Sequence, residues 1–89
     1  MIAEKQVTIL NTLGLHVRPS AAMAGTASKF RSSISVIKDG QAVNAKSSID
    51  LLTLAAVEGT HLTLRADGED AREAVEALAQ LINKKFGEE

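Results

Sequence analysis

Cysteine is missing from this chain of 89 residues, and aromatic residues are nearly so. Without cysteine the chain has no disulfide, no thiolate nucleophile and no thiolate ligand for a metal. Phe30 and Phe86 are the only aromatic residues, so the interior has to be built from Ala, Leu, Ile and Val. Such an interior leaves little space for a deep pocket, and we therefore expect no cofactor.

An excess of charge of one sign and long apolar runs are also lacking. Ten Lys and Arg against eleven Asp and Glu give a formal net charge of −1 without a basic stripe, so we expect no nucleic-acid partner. The two histidines, His16 and His61, are far apart in sequence, and we expect no metal site. No apolar stretch approaches membrane-spanning length and the N-terminus does not resemble a signal peptide. We expect a single domain at residues 1–89, cytoplasmic, not inserted in a membrane and monomeric.

Alternating apolar and polar residues predict four strands. In the first, Val7 and Ile9 face one side while Gln6 and Thr8 face the other. Asp39-Gly40 is a hairpin signal that joins the second strand to a short third one. The predicted strands cover residues 5–10, 33–37, 41–44 and 62–66.

Helical spacing of apolar residues predicts the first two helices. Met23 and Ala27 lie four residues apart in a helix predicted over residues 19–30, whose first turn accommodates Pro19. Ser47-Ser48-Ile49-Asp50 has the Ser-x-x-acid form of a helix N-terminus, and a short helix should follow it.

A third, long helix is predicted at the end of the chain. Asp70 and Glu73 have the spacing of a capping box, and an apolar stripe runs from there to about Phe86. The element order is therefore strand, helix, strand, strand, helix, strand, helix. This order favours an α+β sandwich, with one mostly antiparallel sheet of four strands and the helices packed on a single face.

The segment most informative about chemistry is Gly-Leu-His-Val-Arg-Pro at residues 14–19, between the first strand and the first helix. A histidine before a helix faces unpaired backbone N–H groups and the positive end of the dipole, which together form an anion site. Because imidazole titrates near neutrality, a neutral nitrogen of His16 is available as a nucleophile. Backbone donors and Arg18 would hold a phosphoryl group placed on it, and Gly14 permits the turn. The plainer alternative is that His16 is only a helix cap and Arg18 a solvated side chain.

Residues 14–21, Gly-Leu-His-Val-Arg-Pro-Ser-Ala, resemble the active-site signature of HPr-type phosphocarriers, in which Gly-Leu/Met-His-x-Arg-Pro is followed by small residues. Residues 44–47, Asn-Ala-Lys-Ser, resemble the second, regulatory motif of that family. Together with the element order, the two motifs cover nearly the whole chain. The resemblance implies the family fold, an open-faced β-sandwich with a four-stranded antiparallel sheet under three helices.

The resemblance also implies a function, the relay of a phosphoryl group. His16 would accept it on Nδ1 from enzyme I of the phosphotransferase system, with phosphoenolpyruvate as the ultimate donor, and pass it to an EIIA-type protein. Arg18 carries over as the phosphate-stabilising neighbour, and we place Val17 beside it in that role. The pattern Asn-x-Leu-Gly at residues 11–14 is closer to nitrogen-branch relatives, which leaves open whether the chain serves sugar uptake or nitrogen-linked regulation.

The second motif suggests regulation and docking. Ser47 corresponds to the residue that an HPr kinase/phosphorylase modifies in many family members, although a serine here is also a good helix cap with no need of a regulatory purpose. Ser48, Ile49 and Leu52 match positions at which family members contact their partners. The alternative for the two apolar residues is ordinary core packing.

Two rival functions remain open from the sequence. One is a non-catalytic adaptor that acts only through phosphorylation of Ser47, and His16 argues against it because family members confined to that role lack this histidine. The other is a ligand-binding module whose anion site is never covalently modified.

Overall fold

One antiparallel sheet of four strands forms one layer of the fold, in a computed structural model that describes residues 1–88. The strands are β1 (Ile2–Thr8), β2 (Ser33–Lys38), β3 (Gln41–Asn44) and β4 (His61–Asp67). Their order across the sheet is β1-β4-β2-β3, so that β4 lies between β1 and β2. All three pairings are antiparallel, and β1 and β3 form the two edges.

Three helices cover one face of this sheet. They are α1 (Val17–Ala27), α2 (Ser48–Leu52) and α3 (Ala71–Asn83), and a short 3₁₀ turn at Lys85–Gly87 follows the last of them. None of the helices within residues 1–88 is long and apolar enough to cross a bilayer. The expected fold class, an α+β open-faced sandwich, is confirmed, and its sheet is antiparallel throughout.

The core lies between the sheet and the helices. Alternate residues of the strands point into it, as the period of two requires, and the inward residues of β2 and β4 are Ile34, Val36, Leu62, Leu64 and Ala66. The helix α3 contributes a stripe at helical spacing, with Ala71, Ala74, Val75, Leu78, Ala79 and Ile82 buried. The two phenylalanines, Phe30 and Phe86, pack against the margin of the core.

Several predicted boundaries were wrong by a few residues. The first strand runs from Ile2 to Thr8 instead of over residues 5–10, because its whole length pairs with β4 from Ile2 opposite Asp67 to Thr8 opposite His61. Similarly, α1 begins two residues before Pro19 and ends at Ala27. Proline is tolerated anywhere in a first turn, so its position alone does not fix the first residue of a helix.

The predicted capping box at Asp70 is also wrong. Asp70 occupies the N-cap position of α3, yet its side chain makes no capping hydrogen bond. Its carboxylate instead accepts hydrogen bonds from the hydroxyl and backbone N–H of Ser32 and from the backbone N–H of Arg31. These bonds, that from the Ser32 hydroxyl foremost, lower the pKa of Asp70 from 3.8 to about 2. Nor does α3 reach Phe86, because the chain leaves the helix after Asn83.

Candidate functional site

A tight turn before α1 presents His16. Gly14 has a φ of +70°, and a Cβ atom at this position would collide with the carbonyl oxygen of Ala56. The Gly14 N–H donates to the carbonyl of Asn11 at 3.1 Å, while the Leu15 N–H donates to the carbonyl of Ala56 at 2.8 Å. The backbone ahead of His16 is thus closed on itself and tied to the loop after α2.

His16 is the N-cap residue of α1, with extended backbone at φ −83° and ψ −165°. Its carbonyl accepts the N–H of Ser20 at 3.0 Å, whereas its side chain makes no capping hydrogen bond. The N–H groups of Val17 and Arg18 belong to the first turn and have no carbonyl partner within the helix, and Pro19 has no N–H at all. Two donors that the helix leaves without a partner, and the positive end of its dipole, therefore lie next in the chain to the residue that carries the imidazole.

The opposite edge of the imidazole contacts the C-terminal tail. Nε2 of His16 lies 3.0 Å from Oε1 and 2.9 Å from Oε2 of Glu88. An ionised carboxylate only accepts hydrogen bonds, so Nε2–H donates. The hydrogen bond from His16 is the largest influence on the pKa of Glu88, which is lowered, and Asn11 and the charge of Arg18 act in the same direction against desolvation. The carboxylate is therefore ionised at neutral pH.

Asn11 connects the turn to the same carboxylate. Its side chain is fully buried, and Nδ2 donates to the carbonyl of Gly14 at 2.7 Å and to Oε1 of Glu88 at 3.1 Å. Neither Asn11 nor Glu88 was among the predicted site residues. The Asn-x-Leu-Gly pattern drew attention to the segment of Asn11 without assigning it a role, and nothing in the sequence points from Glu88 to a residue 72 positions earlier.

Nδ1 is the unoccupied nitrogen of the ring. None of the hydrogen bonds made within residues 1–88 involves it, and 35% of the His16 side chain remains exposed. Arg18 is exposed and forms no salt bridge with any described residue, so its guanidinium is free to bind an added anion. His16, Val17 and Arg18 thus lie together at the start of α1, and their roles in holding a phosphoryl group stay predictions.

The second predicted motif lies at the start of α2. Ser47 is the N-cap residue, and its Oγ accepts the N–H of Asp50 at 3.1 Å. Next to it, Nζ of Lys46 donates to the carbonyl of Phe30 at 2.8 Å, which ties this corner to the end of α1. Both Ser47 and Ser48 are half-buried, so that the hydroxyl of Ser47 caps the helix while remaining partly accessible.

Several exposed apolar side chains lie on or next to the elements that carry these two motifs. The exposed fraction is 74% for Ile49 and 37% for Leu52, so neither belongs to the core. Further exposed apolar residues lie on the turn, on the first residue of α1 and on the loop that contacts Gly14; sequence reasoning did not single them out as a surface. We call the set the apolar surface, and its members are Leu13, Val17, Ile49, Leu52 and Val57.

The second histidine and the metal-binding side chains form no further site. His61 is exposed at the start of β4, where its Nδ1 lies 2.9 Å from Oγ1 of Thr8 on β1. Within residues 1–88 no group of three or more His, Cys, Asp or Glu side chains is placed to hold a metal ion.

Comparison with known proteins agrees with this geometry. Residues 3–84 match the family described as PTS HPr component phosphorylation site. Among curated proteins, the chain is 46% identical over 85 residues to the phosphocarrier protein HPr of Neisseria meningitidis serogroup A, covering 96% of each chain. It is also 43% identical to the HPr-like protein Crh of Halalkalibacterium halodurans, covering 94% of this chain and 100% of that one. Among solved structures, HPr-C-His from Thermoanaerobacter tengcongensis superposes with a TM-score of 0.93 at 47% identity, over 98% of each chain.

Proposed function

The chain belongs to the HPr family, the phosphocarriers of the phosphotransferase system, and on that premise we propose that it relays a phosphoryl group on Nδ1 of His16. Phospho-enzyme I is the donor, phosphoenolpyruvate the ultimate source, and EIIA-type proteins are the acceptors. The protein acts as a single cytoplasmic domain and needs no metal or organic cofactor of its own.

The observation that carries this proposal is that His16 is the N-cap residue of α1 and that, within residues 1–88, no hydrogen bond occupies its Nδ1 and no salt bridge occupies the guanidinium of Arg18. In the transfer, the Nδ1 lone pair forms a bond to phosphorus while the bond from phosphorus to the donor atom of phospho-enzyme I breaks, and that electron pair stays with the donor. The N–H groups of Val17 and Arg18, with the Arg18 side chain, are placed to hold the phosphoryl oxygens. Phosphoryl transfer requires mainly positioning and charge stabilisation, which these few groups supply.

Docking of both donor and acceptor is assigned to the apolar surface. Its exposed side chains lie on the turn before His16, on the first residue of α1, on α2 and on the loop that contacts Gly14, and a partner that covers them together with His16 excludes water from the transfer site. Ile49 and Leu52 on α2 provide the apolar contacts, and Ser48 lies between them and the cap residue. Partners that bind here come within reach of the imidazole.

Phosphorylation of Ser47 by an HPr kinase/phosphorylase would regulate this docking. A phosphate on the cap residue is compatible with the helix dipole of α2, yet it places charge of about −1.5 to −2 next to the contacts made by Ile49. Partners that bind through apolar contacts then bind less well. The ratio of the phosphorylation rates of the Ser47→Asp and Ser47→Asn variants measures this effect, since both side chains cap a helix and only one is charged.

The first prediction concerns which histidine takes the label. Incubation with enzyme I and radiolabelled phosphoenolpyruvate should give acid-labile phosphate on the wild-type chain and none on His16→Ala, because only His16 has a free nitrogen at the helix terminus. His61→Ala is the matched control and should label as wild type does. Undiminished labelling of His16→Ala would refute the site.

The second candidate is the adaptor that acts through Ser47, since the chain is similar to Crh, which a solved structure from Bacillus subtilis names as a catabolite repression protein. It predicts that sugar uptake is normal in cells carrying His16→Ala, whereas catabolite control is lost with Ser47→Ala. The relay predicts instead that sugar uptake is lost with His16→Ala and is normal with Ser47→Ala.

The branch of the phosphotransferase system is identified by offering the phosphorylated chain separately to EIIA proteins of the sugar branch and of the nitrogen branch. The cognate acceptor should take the label faster.

A further inference from the structure

We propose that Glu88 is a positioning residue for the phosphoryl relay: its carboxylate holds Nε2–H of His16, directs the Nδ1 lone pair outward and stabilises the positive charge that the ring acquires on phosphorylation. This inference rests on the proposed function of His16. It extends the site by a residue from the other end of the chain, which the family signature in residues 14–19 does not contain.

The first support is the geometry of the contact. Both carboxylate oxygens of Glu88 lie within 3.0 Å of Nε2, and the carboxylate is mostly enclosed, with 17% of its side chain exposed. A neutral imidazole carries one N–H and one lone pair, and an acceptor on one nitrogen keeps the proton there. With the proton held on Nε2, Nδ1 is left as the nucleophile, on the residue that caps α1.

The second support is the backbone that delivers Glu88. Lys85, Phe86 and Gly87 all have positive φ, at 56°, 55° and 77°, which turns the chain back after α3. Left-handed backbone is disfavoured for residues other than glycine and persists only where the surroundings stabilise it. Here Phe86 packs against the core, and the N–H groups of Gly87 and Glu88 donate to the carbonyls of Lys84 and Lys85 at 3.1 and 2.8 Å.

The third support is Asn11, which holds the carboxylate from the side of the turn. Its buried Nδ2 donates to Glu88 and also to the carbonyl of Gly14, so one side chain links the tail to the backbone that positions His16. The buried side chain of Asn11 thus holds the turn and the carboxylate of Glu88 at the same time. The contact is therefore part of the architecture of the turn.

The chemistry follows from where the charges go. When Nδ1 of neutral His16 attacks phosphorus, the bond to the donor breaks with its electron pair and the proton stays on Nε2, so the phosphorylated ring is an imidazolium. Glu88 faces this cation from the edge of the ring opposite to the phosphoryl group, while Arg18 and the helix terminus face the phosphoryl oxygens. A carboxylate plays the same part for the histidine of a serine protease triad. The reverse transfer to an acceptor passes through the same arrangement.

The test compares Glu88→Ala, Glu88→Gln and the control Glu69→Ala, which alters an exposed glutamate remote from the turn in sequence. Phosphorylation by phospho-enzyme I is measured over a range of concentrations of the carrier to separate kcat from KM. For a partly exposed ion pair we expect kcat of Glu88→Ala to fall about two- to fivefold with KM unchanged. Glu88→Gln keeps an acceptor oxygen without the charge, so its kcat should lie between those of Glu88→Ala and wild type. The kcat of Glu69→Ala should equal that of wild type.

The ¹⁵N spectrum of the imidazole, recorded on variants that are shown to be folded, reports the tautomer of His16 directly. In alkaline buffer the wild-type ring should show a protonated Nε2 and a bare Nδ1, and the two shifts should move toward each other in Glu88→Ala as the ring divides between tautomers. Wild-type kcat and shifts in Glu88→Ala would overturn the proposal, and so would an increased kcat, which would mean that the tail obstructs the site. If phospho-enzyme I does not phosphorylate the wild-type chain, the proposed relay function is wrong. The ¹⁵N spectra then still decide whether Glu88 holds the proton on Nε2.

Discussion

At the scale of single residues, the site depends on a backbone conformation as much as on side-chain chemistry. Gly14 brings the chain within contact distance of the loop after α2, and the hydrogen bond from Leu15 to Ala56 locks it there. The direction in which His16 leaves the turn is set by this contact. Position 14 therefore requires glycine for a steric reason, independently of any role in phosphoryl transfer.

A substitution at this turn should affect stability strongly. Gly14→Ala places a Cβ against the carbonyl of Ala56 on left-handed backbone, and we expect the free energy of unfolding to drop by more than about 2 kcal/mol. Gly25→Ala is the control, because Gly25 is an exposed residue of α1 and a Cβ there meets nothing within 4 Å. That variant should gain about 0.5–1 kcal/mol. Urea titration measures both, and wild-type stability in Gly14→Ala would show that the turn tolerates a side chain.

At the scale of elements, Asp70 joins the start of α3 to the entry of β2. Its carboxylate satisfies the N–H groups of Arg31 and Ser32, two backbone donors of a segment that has not yet entered the sheet. Gly68 lets the chain pass close to Ser32, since a Cβ at this position would meet the serine side chain. The start of α3 and the segment that leads into β2 are thereby held together.

The lowered pKa of Asp70 gives this link a signature in the pH dependence of stability. Its ionised form is favoured by folding, so the contribution is present in full above the unfolded value near 3.8 and is lost as the pH falls toward about 2. Asp70→Asn should lower the melting temperature at pH 7. It should also reduce the fall in melting temperature that wild type shows between pH 3.8 and about pH 2. Asp67→Asn, at an exposed aspartate, should keep the wild-type profile. Parallel profiles of Asp70→Asn and wild type would contradict this assignment.

The elements themselves were largely predictable because they depend on local patterns. Asp39-Gly40 specified the hairpin, and β3 has the predicted bounds at Gln41–Asn44. The Ser47 cap was predicted from the same kind of short-range spacing and is confirmed at 3.1 Å. The capping box at Asp70 failed because hydrogen bonds from a segment 38 residues away drew the carboxylate off its helix. The spacing of Asp70 and Glu73 in the sequence gives no information about a competing hydrogen bond from Ser32.

At the scale of the whole molecule, the site is assembled from both ends of the chain. The position of His16 and Arg18 at the start of α1 was predictable because the motif and the helix terminus are adjacent in sequence, whereas their roles in phosphoryl transfer stay predictions. Glu88 was not predictable, since its contact depends on how α3 crosses the sheet and on three left-handed residues after it. The monomer expected from the sequence stays a prediction. So do the roles in partner binding of Ser48, Ile49 and Leu52.

The most direct test of the account is to locate the phosphorus atom on the ring. In ¹⁵N-labelled protein phosphorylated through enzyme I, we predict scalar coupling between ³¹P and Nδ1 of His16, with the proton retained on Nε2. Coupling to Nε2 would contradict the account, because that nitrogen is the one that the carboxylate of Glu88 holds. A phosphorylated chain with no phosphorus on His16 would contradict it altogether.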